Sequence, residues 1–358
     1  MKYGKLAALV MVFCLFWPLA APLEASAGEV IELKAAVWFP PMHPVVQQVF
    51  LPWGKMIEER TKGRVKIKWF LGGTLVRGEQ GLSAVKSGLA DIVLPLNVWA
   101  FSKQFPATTS IFMPFQLNSE IHAAQSYYEC FQQIPAIRNE YADMKVIGFF
   151  SSGITNFHMK TVLIKDLAGF KDQKIWAGNN IGVTSLKIWK ASPRIVKLAD
   201  IYMSLQRGAL DGIMFPTPPL HSFKFTDLVN KHTICAFMPG AQIGAMNKKR
   251  WDSLPPDIQK VFEDLTLSLG IAAGTKFTEM NKLILGQLKK RGDQMYFVPP
   301  KQRDKWRATL NSVYETQIAD LNKAGLDGKA MFGKVQSIVD EAAKHPMKRD
   351  SIWKPLGR

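Results

Sequence analysis

The chain has 358 residues, a formal net charge of +17 at pH 7 and a hydrophobic fraction of 47%. This length allows two domains and a sizeable core. Its 3 cysteines are too few for a disulfide scaffold, and beyond residue 27 no stretch approaches the about 20 apolar residues that a membrane-spanning helix needs.

The N-terminus has the pattern of a secretory signal peptide. Lys2 and Lys5 precede an apolar run at 6–22, and residues 25–27 read A-S-A, a cleavage site of the A-x-A type. An uncleaved membrane anchor is the alternative, but two prolines in the apolar run and the small residues at its end favour cleavage. We therefore expect residues 1–27 to be removed and the mature protein to be soluble and periplasmic.

The basic charge and the cysteines have to be interpreted in that exported setting. In a cytosolic protein the charge would suggest nucleic-acid binding, but export argues against that partner, and the basic residues are scattered apart from clusters at 248–250 and 289–291. A solvated basic surface is expected, with attraction to anionic solutes or a membrane surface as the alternative. Cys130 and Cys235 both lie in apolar runs, so we expect buried free thiols rather than a disulfide.

The predicted elements alternate between strands and helices. The first half has predicted strands at 31–38, 65–70, 92–96 and 144–150 and predicted helices at 45–62, 78–88, 119–133 and 135–141. A flexible break at 151–153 is predicted to mark a crossover between two lobes. The second half has predicted strands at 174–176, 209–215, 233–238 and 242–246, and predicted helices at 185–190, 198–207, 220–228, 256–291, 301–324 and 329–344. This order favours α/β lobes.

Two stretches of the chain share one pattern. Residues 198–219 read as a helix, a glycine, a short buried strand and a proline-rich loop, and residues 83–95 read the same way. Asp211 follows Gly208 at the spacing at which Asp91 follows Gly88. Chance is the simple alternative, because glycine commonly follows a helix. Otherwise the pattern predicts two similar lobes, with a ligand pocket in the crevice between them.

Four segments carry a family resemblance. Residues 198–216 resemble the signature Y-x-A-L-Q-x-G-x-V-D-G-x-E-N-P of the solute-binding proteins of tripartite ATP-independent periplasmic (TRAP) transporters, the C4-dicarboxylate-binding type. Residues 72–91, 166–178 and 251–259 resemble three further segments of that family. The matching residues of the signature are Tyr202, Leu205, Gln206, Gly208, Asp211, Gly212 and Pro216.

The resemblance implies an architecture and partners. It implies a type II periplasmic binding-protein fold of two α/β lobes, joined by hinge strands and by a long helix that spans both. We place lobe I at 28–151 and 240–290, lobe II at 152–239 and 291–345, and a loose tail at 346–358. The implied partners are a small-molecule ligand and the integral membrane subunits of a TRAP transporter, and the expected state is a monomer.

The sequence contains no positive evidence for catalysis. It contains none of the common nucleophile, zinc, redox, dinucleotide or phosphate-binding motifs, and its six histidines lack metal-ligand spacing. We therefore predict no catalytic residues, no metal and no cofactor. A sensor that presents its closed form to a receptor, or a periplasmic enzyme that uses the same cleft, are the alternatives.

The chain departs from the family at the positions that hold carboxylates. Trp176 stands where the family has an arginine, Ile154 aligns loosely with a second arginine, and Met214 and Phe215 replace a Glu-Asn pair. A bidentate arginine–carboxylate pair cannot be copied by these side chains. We therefore expect a ligand less polar than a C4-dicarboxylate: an aromatic or branched organic acid, or a neutral apolar metabolite.

The candidate ligand-binding residues follow predicted strand ends in both lobes. Core packing is the alternative for each aromatic residue, whereas Asp91 and Asp211 are expected to serve their turns through backbone hydrogen bonds. Arg77, on a loop, is the candidate contact for an anion. The candidates are Trp38, His43, Arg77, Asn97, Trp99, Asn156, Phe157, Trp176, Asn179, Met214, Phe215 and Thr217.

Overall fold

A computed structural model describes residues 30–347 of the protein. The predicted signal peptide and the predicted tail beyond residue 347 lie outside the described residues. The strands are β1 (Ile31–Ala36), β2 (Val65–Phe70), β3 (Ile92–Asn97), β4 (Met144–Met159), β5 (Lys174–Trp176), β6 (Ser192–Arg194), β7 (Gly212–Pro216), β8 (Lys231–Ile234), β9 (Pro239–Asn247) and β10 (Gln294–Phe297).

Helices cover both sides of these strands. They are α1 (Leu51–Arg60), α2 (Gly81–Ser87), α3 (Pro106–Thr109), α4 (Glu120–Gln133), α5 (Pro135–Asn139), α6 (Asn180–Ile188), α7 (Ile201–Gln206), α8 (Lys248–Asp252), α9 (Pro256–Arg291), α10 (Pro300–Ala308), α11 (Asn311–Lys323) and α12 (Gly328–Lys344). A π-helical turn at Val46–Phe50 precedes α1.

The two lobes have matching sheets. The strand order is β2-β1-β3-β9 in the first lobe and β6-β5-β7-β4 in the second, and β4 and β9 pair antiparallel where the sheets meet. Asp91 accepts a hydrogen bond from the backbone N–H of Lys34 in β1, and Asp211 accepts one from Lys174 in β5, each at 2.8 Å. Both aspartates are structural, as expected, although the donors lie on neighbouring strands rather than in the turns. The shared pattern in the sequence therefore marks the same position in each lobe.

β4 runs through both lobes without the predicted break. It spans 16 residues and pairs with β9 on the first-lobe side and with β7 and β8 on the second-lobe side. The predicted break at 151–153 is a bulge within the strand, where the register against β9 shifts and Gly153 adopts a φ of 122°. Such a φ is open to glycine and strained for other residues. The chain therefore crosses between the lobes on an extended strand.

The long helix α9 has the predicted bounds and contacts both lobes. Phe262 and Leu269 pack in the core below the first sheet, and Ile284 and Leu288 pack with a second-lobe cluster that includes Leu205. Two glycines of this helix have a packing role. A Cβ added at Gly270 would lie 2.1 Å from the carbonyl oxygen of Phe149 in β4, and one at Gly274 would lie 2.9 Å from that of Glu120.

Several predicted elements were wrong. The helix predicted at 220–228 is replaced by two 3₁₀ turns, and Lys224 between them adopts a φ of 57°, which an α-helix does not allow. The helix predicted at 301–324 is two helices, α10 and α11. The short strands β6 and β10 were missed, because three or four residues carry too little pattern to be recognised.

The C-terminal helices do not all belong to the second lobe. Trp306 of α10 packs against Phe170 in the second-lobe core. Val335 of α12 instead lies in a first-lobe cluster, and the carbonyl oxygen of Val339 lies 2.8 Å from Nε2 of His122 in α4. The assignment of 291–345 to lobe II is therefore wrong for α12. The other lobe boundaries stay predictions.

Both described cysteines are buried free thiols, as expected. Burial raises the pKa of Cys130 above its usual range and raises that of Cys235 to about 12. Thiols with raised pKa values are poorly reactive, because the thiolate is the nucleophile. The pair therefore contributes packing volume rather than a covalent link.

The close packing of α9 on β4 can be tested with a pair of glycine substitutions. Gly270→Ala should lower the free energy of unfolding by about 1–3 kcal/mol, because its methyl group overlaps the backbone of β4. Gly286→Ala in the same helix has no atom within 4 Å of the added Cβ and should raise stability by about 0.5–1 kcal/mol. Urea unfolding followed by circular dichroism measures both. Equal effects of the two substitutions would contradict the packing account.

Candidate ligand-binding site

A cavity of about 230 Å³ lies between the lobes, at the carboxyl ends of β1, β3 and β7. Aromatic side chains, with His43 counted, supply 7 of its 15 lining residues, and we refer to it as the aromatic chamber. The residues that line it are Trp38, Phe39, Pro40, His43, Asn97, Trp99, Ser152, Leu198, Phe215, Pro216, Pro219, Ser222, Phe223, Gln242 and Phe277. Both lobes and the long helix contribute to the wall, so the shape of the chamber depends on the relative orientation of the two lobes.

A smaller cavity of about 50 Å³ adjoins the aromatic chamber on the second-lobe side. The two share Trp99, Ser152, Phe215 and Pro216. The remaining residues of the smaller cavity are Thr155, Trp176, Gly178, Asn179, Met214, Met238, Pro239 and Gly240. The chain therefore offers one main chamber with a narrow extension beside Trp176.

Backbone hydrogen bonds hold two of the tryptophans in place. The indole N–H of Trp38 donates to the carbonyl oxygen of Pro95 at 3.1 Å, and that of Trp176 donates to Val196 at 3.0 Å. Ring contacts add to this, with Trp38 edge-on to Phe39 at 4.4 Å and Trp176 tilted against Phe215 at 5.8 Å between ring centroids. Because the N–H groups of these two side chains are already satisfied, their rings can offer apolar surface to a ligand.

The walls of both cavities carry no formal charge. Among the described residues that line them, none is Lys, Arg, Asp or Glu. Arg77, the predicted contact for an anion, is exposed on the turn before α2 and lines neither cavity. The prediction for Arg77 is therefore wrong in its placement, because the residue that reaches the chamber wall from this turn is its neighbour Gly78, which packs against Trp38 and Asn97.

His43 supplies a neutral hydrogen-bonding group to the chamber. It is 6% exposed and stacks on Phe39 at 4.4 Å, and burial lowers its pKa to about 4. The backbone N–H of Val45 donates to Nδ1 at 3.3 Å. In the neutral ring the proton is therefore assigned to Nε2, which leaves one N–H donor that makes no hydrogen bond with the described residues.

The polar pair of Asn97 and Gln242 completes the wall. Nε2 of Gln242 donates to Oδ1 of Asn97 at 2.7 Å across the pairing of β3 with β9. Asn97 was predicted from its place at a strand end, whereas Gln242 was missed. A glutamine at the start of a predicted apolar strand is the signal that could have drawn attention to it, since a buried amide needs partners.

Asn179 lies beside the narrow extension and also caps a helix. Its Oδ1 accepts the backbone N–H of Gly182 at 2.8 Å at the start of α6. Its Nδ2 lies 3.9 Å from the sulfur of Met238. Asn179 is thus a lining residue whose polar oxygen is already used by the fold.

Three predicted site residues lie in the interior of the second lobe instead. Phe157 is fully buried and packs edge-on against Phe170 at 4.8 Å. Asn156 accepts the backbone N–H groups of Cys235 and Ala236 and donates to Thr217 Oγ1 at 3.1 Å. The predictions for Asn156, Phe157 and Thr217 are therefore wrong, because none of the three lines either cavity. β4 continues into the second-lobe core instead of ending at the cleft.

The three apolar replacements in the second lobe do reach the cavities. Trp176, Met214 and Phe215 line them, whereas Ile154 pairs with Pro239 at the bulge of β4 and lines neither. The carbonyl oxygen of Phe215 lies 3.1 Å from Nε2 of the buried His158. Behind it, His158 contacts His232 at 2.9 Å through ring nitrogens, so the strand end that carries Phe215 is supported from within the lobe.

A wider groove with charged side chains lies beyond the narrow extension. It measures about 430 Å³ and is lined by residues of α3, α6 and α11 and of the turn before α3, and its charged residues are Lys103, Asp320 and Lys323. A constriction of about 10 Å³, lined in part by Trp99 and Asn179, shares residues with both the extension and the groove. The nearest charged groups along this path are thus separated from the chamber by a tight passage.

Two further properties of the described residues bear on function. No group of three or more His, Cys, Asp or Glu side chains among residues 30–347 could hold a metal ion. Within the same residues, every helix is too short or too polar to cross a bilayer.

Comparison with known proteins places the chain among solute-binding proteins. The model of the family described as bacterial extracellular solute-binding protein, family 7 matches residues 35–320. The 2,3-diketo-L-gulonate-binding periplasmic protein YiaO of Escherichia coli is 22% identical over 238 residues, covering 66% of this chain and 72% of that protein.

Solved structures agree in fold. A TRAP solute-binding protein from Rhodoferax ferrireducens, in complex with copurified benzoate, superposes with a TM-score of 0.81 at 21% identity and covers 88% of this chain and 99% of that one. A marine metagenome TRAP solute-binding protein specific for aromatic acid ligands, in complex with metahydroxyphenylacetate, gives 0.79 at 20% identity, with coverage of 87% and 99%. The predicted two-lobe periplasmic binding-protein fold is confirmed.

The burial of His43 predicts a dependence of stability on pH. An unfolded histidine titrates near 6.5 and His43 in the folded protein near 4, so between these values the unfolded chain binds the extra proton. The free energy of unfolding should therefore fall as the pH drops from about 6.5 to about 4, with a contribution from His43 of up to about 3 kcal/mol.

Urea unfolding between pH 4.5 and 7.5 measures this effect. His43→Asn should show a shallower fall than the unmodified protein, and His221→Asn, at an exposed histidine, is the matched control. The same slope in all three proteins would contradict the burial account of His43.

Proposed function

Because the chain belongs to extracellular solute-binding protein family 7, of the TRAP transporter type, we propose that it captures a small organic solute in the aromatic chamber. The loaded protein delivers this solute to the integral membrane subunits of a TRAP-type secondary transporter. In this proposal the signal peptide at 1–27 is cleaved and the mature protein works as a periplasmic monomer. Lobe closure over the chamber excludes water from the bound solute.

The uncharged aromatic wall is the observation that carries the proposal for the ligand. A carboxylate buried against Trp176, Met214 and Phe215 would lose its hydration without gaining an ionic partner, which is unfavourable. An apolar ring there gains about 25 cal/mol for each Å² removed from water, and edge or stacking contacts with the tryptophans add to that. The proposed ligand is therefore less polar than a C4-dicarboxylate.

The size of the chamber limits the ligand further. The chamber and its extension measure about 230 and 50 Å³, whereas sites for drug-sized ligands measure about 300–1,000 Å³. A molecule with a single ring, or a short branched chain, matches this volume. The benzoate and metahydroxyphenylacetate named for two structures of similar fold are ligands of this size and support the choice.

The position of Trp176 gives a direct test of this ligand class. In thermal-shift and calorimetric titrations we expect succinate, malate and fumarate to give no stabilisation, and at least one aromatic or branched monocarboxylate or neutral compound to bind. Trp176→Arg should weaken that compound about ten-fold, the equivalent of about 1.4 kcal/mol, because a cation replaces apolar surface beside Phe215.

Ile195→Arg serves as the matched control, since Ile195 is 71% exposed and lines neither cavity. It should leave affinity unchanged. Tight binding of succinate by the unmodified protein would overturn the proposed ligand class.

A further inference from the structure

The chamber wall contains a buried oxygen atom without a partner. Gln242 is 1% exposed and lines the aromatic chamber from β9. Its Nε2 is bonded to Oδ1 of Asn97 at 2.7 Å, but its Oε1 is buried and makes no hydrogen bond with any described residue. Buried amide oxygens are nearly always paired, so this atom marks a place where the folded chain leaves one hydrogen bond to be made.

An unused donor belongs to the same pair of side chains. Nδ2 of Asn97 makes no hydrogen bond with the described residues, and Asn97 lines the same chamber. The pair therefore has one free NH2 group, on Asn97, and one free C=O group, on Gln242, and Nε2 of Gln242 keeps a second N–H. Rotating both amides by 180° gives Gln242 the free NH2 group and Asn97 the free C=O group, so the pair again offers one donor group and one acceptor group. The chemistry offered to a ligand is the same in either orientation.

A hydroxyl group is the substituent that fits this pair. Its proton can be donated to the free carbonyl oxygen while its oxygen accepts from the free N–H. A carboxylate, ketone or ether oxygen can only accept, and a methyl group leaves both positions unmet. A site built to hydrogen-bond a substrate hydroxyl discriminates strongly against the analogue without it, because its own buried groups then stay unpaired.

We propose that Gln242 and Asn97 form a specificity pair that selects solutes bearing a hydroxyl group. The solute is then a hydroxylated single-ring or branched compound, with its apolar part against the rings of the chamber and its hydroxyl at the amide pair. The inference rests on the proposed function and adds the requirement for a hydroxyl group on the solute. An apolar chamber alone would favour the compound without the hydroxyl.

Matched pairs of compounds test this demand. Calorimetry on the purified mature protein would compare 3-hydroxybenzoate with benzoate, 4-hydroxyphenylacetate with phenylacetate, mandelate with phenylacetate, and 2-hydroxy-4-methylpentanoate with 4-methylpentanoate. In at least one pair the hydroxylated member should bind about ten-fold tighter or more. Equal or tighter binding of the unhydroxylated member in every pair that binds would overturn the specificity pair.

Three variants distinguish the contribution of the amide pair to ligand preference from the general effects of a substitution in the core. Gln242→Met should bring the two members of the pair to within about two-fold of each other, whereas Gln242→Glu, which keeps an acceptor, should retain part of the preference. Gln116→Met is the control: Gln116 is also a buried amide without partners, but it lines neither the chamber nor its extension. It should leave the preference unchanged.

The remaining outcomes are distinct. A Gln242→Met protein that keeps the full preference would overturn the inference. If Gln242→Met does not fold, the test uses the preference for hydroxylated compounds in the unmodified protein and in Gln242→Glu. If succinate binds and no ring or branched compound does, the proposed function fails instead.

Discussion

The arrangement of the molecule depends on the close contact of one helix with one strand. Gly270 and Gly274 bring α9 against the backbone of β4 and α4, where a Cβ would overlap carbonyl oxygens. β4 pairs with β9 in the first lobe and with β7 in the second, so the element held by this contact belongs to both sheets. α9 packs on clusters from both lobes. The lobes are thus mounted on a shared support, and the bulge at Gly153 is one of two places where the register of β4 against β9 shifts.

The character of the binding site follows from what this support brings together. Parallel strands of both lobes direct their carboxyl ends at one crevice, so the loops after β1, β3 and β7 meet there. In this chain Trp38 and Trp99 follow β1 and β3, Phe215 lies at the end of β7, and charged side chains are absent from the described wall. Selectivity then has to come from shape, ring contacts and a few neutral hydrogen bonds. Each neutral hydrogen bond contributes less to binding than a hydrogen bond to a charged group does. The amide pair of Asn97 and Gln242 supplies such a hydrogen-bonding demand.

Sequence reasoning predicted the lobes, the long helix and most strands, because these features have a long or repeated pattern. It placed Trp38, His43, Asn97, Trp99, Trp176, Asn179, Met214 and Phe215 at strand ends, and the structure finds all eight lining the two cavities. It misplaced Asn156 and Phe157 because the continuation of β4 beyond Gly153 depends on pairing with β7 and β8, which no local pattern reports. It missed Gln242 because a partner 145 residues away in the chain is set only by the folded sheet.

In our proposal, an uncharged, ring-lined chamber determines what this protein carries. The most direct measurement is mass spectrometry of the small molecules released when freshly purified protein is denatured, with heat-washed protein as the blank. We expect a compound with a single ring or a branched chain that carries a hydroxyl group. Stoichiometric release of a C4-dicarboxylate such as succinate would contradict this proposal.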